Sequence, residues 1–356
     1  MKYLDFCKTL GLEPEEEVQK VYEEAELLQP LDTRWIRPLM PQTGARLLRL
    51  AEEISADPLK LRYVNLLKEC YWTVPEKQIP LLPQGPGKEF ENLAPMLVLL
   101  SFVDGAEAEM ERRGIPEEYR TWSREGYEKT LLTREKILGY PVLTPTYFFW
   151  RRRYLIPNLY LIGSLEFELT TLRGETTVYQ EKATGKLAGF REDNETEEAY
   201  RCTRLLRGGQ EGETVILSKE AYSRYLSPGE EVLSVHIPNG TRIDPEAVKN
   251  AFAEAREFVA RYYPERKPKC FYCGSWLMDP ALAEALKPAS NIVTFQRLFS
   301  RWCVKSSGRE VFSFVHPKPF ERYEELPENT SLERMLKQRY LADDPIYVHA
   351  GLCPFQ

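Results

Sequence analysis
The stretch Val232-Leu233-Ser234-Val235-His236-Ile237-Pro238-Asn239-Gly240-Thr241-Arg242-Ile243-Asp244-Pro245 decides the fold. From Val232 to Ile237 the residues suit a strand. Side chains alternate across it, so Val232, Ser234 and His236 share one face and Leu233, Val235 and Ile237 the other. Asn239-Gly240 reads as a turn, and Asp244-Pro245 opens a helix. An aspartate can cap the exposed N–H groups, and proline fits the first helical position because its missing N–H costs nothing there. Val248, Ala251, Phe252, Ala255, Val259 and Tyr262 then fall on one helical face. Cys270 to Leu277 is the next strand, and Asp279-Pro280 opens a second helix over Ala281 to Leu286. This succession predicts parallel strands joined by a right-handed crossover.

Upstream, Leu165, Phe167 and Leu169 alternate with Ser164, Glu166, Glu168 and Thr170, the pattern of a strand with one buried face. Further strands are expected at Thr176–Glu181, Leu187–Arg191 and Thr214–Leu217, and a later one at Val311–Val315. Thr330 and Glu333 form a capping box for a last helix through Tyr340. Residues 1–138 carry a different texture. Leu47, Leu48, Ala51 and Ile54, then Leu59, Tyr63, Leu66 and Cys70 after a start at Asp57-Pro58, mark amphipathic helices. Leu93 to Val103 reads as a buried helix, and Glu107 to Lys136 as a long charged helical pattern. The expected division is a helical domain over 1–138 and an α/β domain over 139–356.

With 356 residues, 43% hydrophobic and 29% charged, the chain suits two folded domains. A net charge of −6 with interspersed signs argues against nucleic acid or an anionic membrane as partner, since both need a concentrated positive field. The apolar run Leu93–Val103 is too short to span a bilayer. The N-terminus has no signal-peptide layout, and seven scattered cysteines suit reduced thiols, so a cytoplasmic location is expected. Cys270-Phe271-Tyr272-Cys273 has the spacing of a metal or redox pair, but residues three apart on a strand point to opposite faces, and no metal site is expected.

Five strings carry a family resemblance: Gly163-Ser164-Leu165-Glu166-Phe167-Glu168; His236-Ile237-Pro238-Asn239-Gly240; Cys273-Gly274-Ser275-Trp276-Leu277-Met278-Asp279-Pro280; Ser290-Asn291-Ile292 with Phe295 and Phe299; and Leu326-Pro327-Glu328-Asn329-Thr330-Ser331-Leu332-Glu333-Arg334. The chain resembles bacterial acyltransferase domain-containing proteins, with a helical N-acyltransferase N-terminal domain and a GNAT-like C-terminal domain. The resemblance implies an α+β chain, a helical domain followed by a GNAT-like mixed-sheet α/β domain. It implies transfer of an acyl group from acyl-CoA to an amine acceptor, with the helical region shaping the acceptor side. The alternative it leaves open is a catalytically inactive GNAT-like protein that binds a small molecule or a protein partner.

Such chemistry needs donors for the pyrophosphate, a donor for the thioester oxygen and a base for the amine. The first need points to Ile237, Asn239, Gly240, Thr241 and Arg242 before the helix at Asp244. This loop departs from the usual GNAT pattern in having one glycine, and Asp244 brings negative charge; an ordinary capped helix is the competing reading. His236 is the natural base, at the C-terminal end of its strand where open α/β sheets place ligands, or else a histidine satisfied by the following turn. Ser275 or Cys273 could donate to the carbonyl or the leaving thiolate, or simply pack. Used with His236 they would suit a hydrolase, but no nucleophile-elbow string is present. Glu166 and Glu168 lie on the polar face of their strand, where a carboxylate could bind or deprotonate an amine, or both could stand solvated. Arg151-Arg152-Arg153 could meet phosphates or form a solvated basic turn. The acyl chain, the acceptor and the oligomeric state are not legible.

Overall fold
The computed structural model describes residues 1–124, 126–318 and 320–355, and of 121–124 the backbone only. Glu125, inside the long charged stretch, lies outside the described residues. The chain divides into two compact units, Met1–Tyr160 and Leu161–Gln356.

The first unit is helical. Asp57 caps the helix Pro58–Thr73 by accepting from the amides of Leu59 and Lys60. The helix Glu89–Leu100 is buried from Asn92 to Leu100, with Pro95 inside it. Asn92 pins the Pro/Gly-rich stretch to that helix by accepting from the Gly85 amide and donating to its carbonyl. The helix Pro145–Leu155 packs on it, and Tyr71 donates to the carbonyl of Phe148. This last helix carries the boundary past the change of texture at 138. It also corrects the reading of Arg151-Arg152-Arg153 as a turn: all three lie in the helix, and Arg151 is buried between the rings of Tyr127 and Tyr154. Among the described residues, no helix is long and apolar enough to cross a membrane.

The second unit is built on strands β1 (Leu159–Ile162), β2 (Leu165–Thr171), β3 (Thr176–Glu181), β4 (Leu187–Glu195), β5 (Ala199–Leu205), β6 (Glu211–Ser218), β7 (Tyr222–Leu226), β8 (Glu231–His236), β9 (Cys270–Ser275), β10 (Ser300–Cys303) and β11 (His349–Pro354). One sheet runs β1-β2-β8-β9-β11-β10, and β8 and β9 are its parallel pair; the other runs β6-β5-β4-β3-β7. The crossover between β8 and β9 is the helix Pro245–Tyr262, capped by Asp244 as the sequence leads one to expect.

Each face of the six-stranded sheet has its own cover. On one, Phe252 of the crossover helix meets Phe167 and Phe271 with ring centres 5.9 and 4.1 Å apart. On the other, Val232, Cys270, Leu352 and Trp302 pack against Val178 and Leu226 of the five-stranded sheet. Gly189 is required there, because a Cβ would lie 2.5 Å from the Trp302 ring. A third cluster joins Trp276, Leu282, Phe312, Leu336 and Tyr340. Its Phe312 belongs to a short helix, Phe312–Val315, where the sequence reading expected a strand. Five residues, four apolar around Ser313, are too short for periodicity to separate the two states, and here the stretch is closed by turns on the Arg309 and Val311 carbonyls.

Candidate functional site
Strand β2 runs antiparallel to β8, with Glu166 opposite His236 and Glu168 opposite Ser234. Ser234 in turn lies beside Tyr272 of β9. Residues in register share a face, so Glu166, Glu168, Ser234, His236 and Tyr272 form one polar patch. The patch continues the face whose other end packs on the five-stranded sheet.

Both glutamates are buried, Glu166 at 5% and Glu168 at 2% exposure, where a solvated pair was the ordinary expectation. Glu168 Oε2 lies 2.9 Å from Nε2 of His236. Its other oxygen is 3.5 Å from the guanidinium of Arg173. His236 is half-buried at the mouth of the patch. Burial pushes the Tyr272 phenol up to about 12, so it is an intact hydroxyl at neutral pH.

Strands β8 and β9 share two register positions, Leu233 with Phe271 and Ser234 with Tyr272. Beyond these no ladder position joins them. His236 stays paired to β2, and Cys273 to Ser275 stay paired to β11, at Gly351 to His349. Among the described residues no register position joins Val235 or His236 to Cys273, Gly274 or Ser275. Gly274, level with His236 across this gap, is exposed. Two parallel strands that separate at their C-terminal ends leave backbone groups that no partner strand satisfies.

The loop after β8 turns at Asn239-Gly240. Gly240 has φ +81°, and Thr241 N–H donates to the Pro238 carbonyl. Asn239, Gly240 and Arg242 are exposed, while Ile237 and Thr241 are half-buried. The first amides of the crossover helix are already engaged, because Asp244 accepts from Glu246 and Ala247.

Of the other residues singled out by sequence, Cys273 and Ser275 lie across the sheet from His236. Cys273 shares the face of Phe271, fully buried against the helical side, where burial pushes its thiol up to about 12. The Ser275 hydroxyl caps a turn by accepting from Leu277 N–H. Cys270 sits on the opposite face among Val232 and Leu352, so the two cysteines of the CxxC string diverge. No group of three or more His, Cys, Asp or Glu among the described residues could hold a metal ion. The contact of Glu168 with His236 is absent from the sequence reading. Its alternation with Glu166 puts it on the right face, but only the register across β2 and β8 brings it to a histidine 68 positions away.

A mixed sheet whose parallel pair opens beside a histidine defines a GNAT-type domain. The chain belongs to the family described as GNAT-like C-terminal domain, whose profile matches residues 159–353. No curated protein matches the sequence. Among solved structures the fold is similar to an acyltransferase in complex with decanoyl-CoA and teicoplanin, at 20% identity, TM-score 0.69 and 100% coverage of each chain. It is similar also to an acyltransferase mutant in complex with octanoyl-CoA, at 19% identity, TM-score 0.69 and 100% coverage of each chain.

Proposed function
We propose that this chain is an acyl-CoA-dependent acyltransferase acting on an amine. The observation that carries the proposal is the parting of β8 and β9 after Ser234 and Tyr272, directly beside the Glu168–His236 pair. The acyl-CoA complexes of the similar structures support the same donor here.

In this reading the pantetheine arm of the donor lies in the gap and hydrogen-bonds the freed strand edges. The thioester carbon then sits between His236 and the bare backbone of Gly274. The amine nitrogen attacks that carbon, the C–N bond forms, the C–S bond breaks, and the coenzyme leaves as a thiol. His236 takes the proton that the amine loses and passes it to the departing thiolate. Glu166, buried opposite His236, offers a carboxyl group to the incoming amine. The pyrophosphate meets the exposed loop of Asn239, Gly240 and Arg242, flanked by Ile237 and Thr241, rather than the helix amides that Asp244 occupies. Cys273 and Ser275 support the sheet from its far face. The seven free thiols fit a reducing, cytoplasmic setting.

The occupied helix amides favour the second reading, a non-catalytic binder with the same scaffold. Thermal unfolding with decanoyl-CoA tests donor binding, since a ligand of the native state raises Tm as its concentration passes Kd. Thiol release in the presence of a panel of primary amines (amino sugars, amino acids, alkylamines) tests transfer. A Tm rise with amine-dependent thiol release is expected. A Tm rise without release would leave the binder, and no rise at millimolar donor would remove acyl-CoA altogether.

A further inference from the structure
The Glu168–His236 contact distinguishes the two nitrogens of the imidazole. An ionised carboxylate can only accept hydrogen bonds, so the nitrogen facing Glu168 Oε2 at 2.9 Å carries a proton. In a neutral imidazole that leaves the lone pair on the other nitrogen. We infer that Glu168 is a positioning residue that holds His236 as the Nε2–H tautomer, so that Nδ1 is the atom that takes the proton of the acceptor amine. The inference rests on the reading of His236 as base.

The surroundings suit this task. Glu168 is 2% exposed and sits in the middle of β2, a strand paired along its length with β8, so its backbone has little freedom. Arg173 lies beside its second oxygen as the opposite charge. When His236 takes up a proton, the imidazolium forms against a carboxylate already in place, which needs no reorganisation at that moment. His236 itself is half-buried at the end of β8, next to the gap toward Gly274. A carboxylate anchored beneath and a half-buried ring above give the base a fixed orientation. Glu166, opposite His236 in register, is one same-face residue pair nearer the C-terminal end of β8.

The test uses the full chain and two independent readouts. The chain has three histidines, so nitrogen-15 NMR of the imidazoles resolves each ring, and a His236→Gln variant identifies the signals of interest. Wild type is expected to show His236 as Nε2–H, and Glu168→Leu, which removes the acceptor at similar volume, a mixture of tautomers. Glu168→Gln keeps the shape and an acceptor oxygen, and guards against a fold lost in the leucine variant. Kinetics with decanoyl-CoA and the best amine of the panel give the second readout. Glu168→Leu is expected to lower kcat roughly 10²-fold, with Glu168→Gln between it and wild type and KM for the donor within about twofold in both. An Nδ1–H tautomer in wild type, or wild-type kcat in Glu168→Leu, overturns the inference. A fully active His236→Gln enzyme instead overturns the assignment of the base, and is distinguished by the unchanged tautomer signal of the wild-type ring.

Discussion

The two faces of β8 and β9 are made by alternate residues of the same strands, yet they are different chemical environments. On the helical face, Phe167, Phe252 and Phe271 pack together, and Cys273 on the same face is fully buried, its thiol pushed up to about 12. On the other face, Glu166, Glu168, Ser234 and His236 stand together where the strands part. A nucleophile needs access and a partner that takes its proton, and Cys273 has neither. His236 has a carboxylate at 2.9 Å and partial exposure. The difference shows that residue type is a poor guide to function until the register says which face it is on.

The sharpest way to break this contrast is to exchange what each face does. His236→Gln should lower kcat by roughly 10²–10⁴-fold while the Tm shift caused by decanoyl-CoA persists. Equal loss of donor binding would mean that the histidine belongs to binding and not to proton transfer. Phe252→Ala attacks the helical face, and should cost about 3–5 kcal/mol in denaturant unfolding, because the ring is buried against two others. A loss below about 1 kcal/mol would show that the crossover helix is loosely seated.

Alkaline pH probes buried thiols in both units, with Cys273 of the helical face among them. Burial pushes the thiols of Cys70, Cys270 and Cys273 up to about 12, against an ordinary value near 9. Between about pH 9 and 12 the unfolded chain gives up these protons and the native chain keeps them. Stability therefore falls as pH rises through that window, by about 1 kcal/mol per thiol for each pH unit. Cys273→Ala should flatten the slope by one thiol. The smallest effect expected is on turnover: Cys273→Ala should stay within about twofold of wild type, and iodoacetamide should leave native Cys273 unlabelled. A large loss of kcat would return Cys273 to the site.

Much of this contrast was legible in the chain itself. The strand, turn, helix and strand from Val232 to Ser275 followed from alternation and from the two Asp-Pro caps, which are strong local signals. Strands β10 and β11 were not. Ser-Arg-Trp-Cys is too short to show a period, and His-Ala-Gly-Leu-Cys-Pro contains a glycine and a proline that read as loop. The run Val311–Val315 failed in the opposite way, apolar enough for a strand but folded as a helical turn. Within the proposed site, His236 was singled out by its position at a strand end. The burial of Glu166 and Glu168, and the bond from Glu168 to His236, depend on pairings between distant segments that no local pattern encodes. The capping role of Asp244 was legible in the Asp-Pro pair.

The central claim is that the gap between β8 and β9 receives the thioester-bearing arm. Backbone amide NMR during titration with decanoyl-CoA tests it most directly. The account predicts saturable shifts at Val235, His236, Cys273 and Gly274, larger than those in the five-stranded sheet. Binding that leaves these four amides unmoved, with shifts elsewhere, would contradict it.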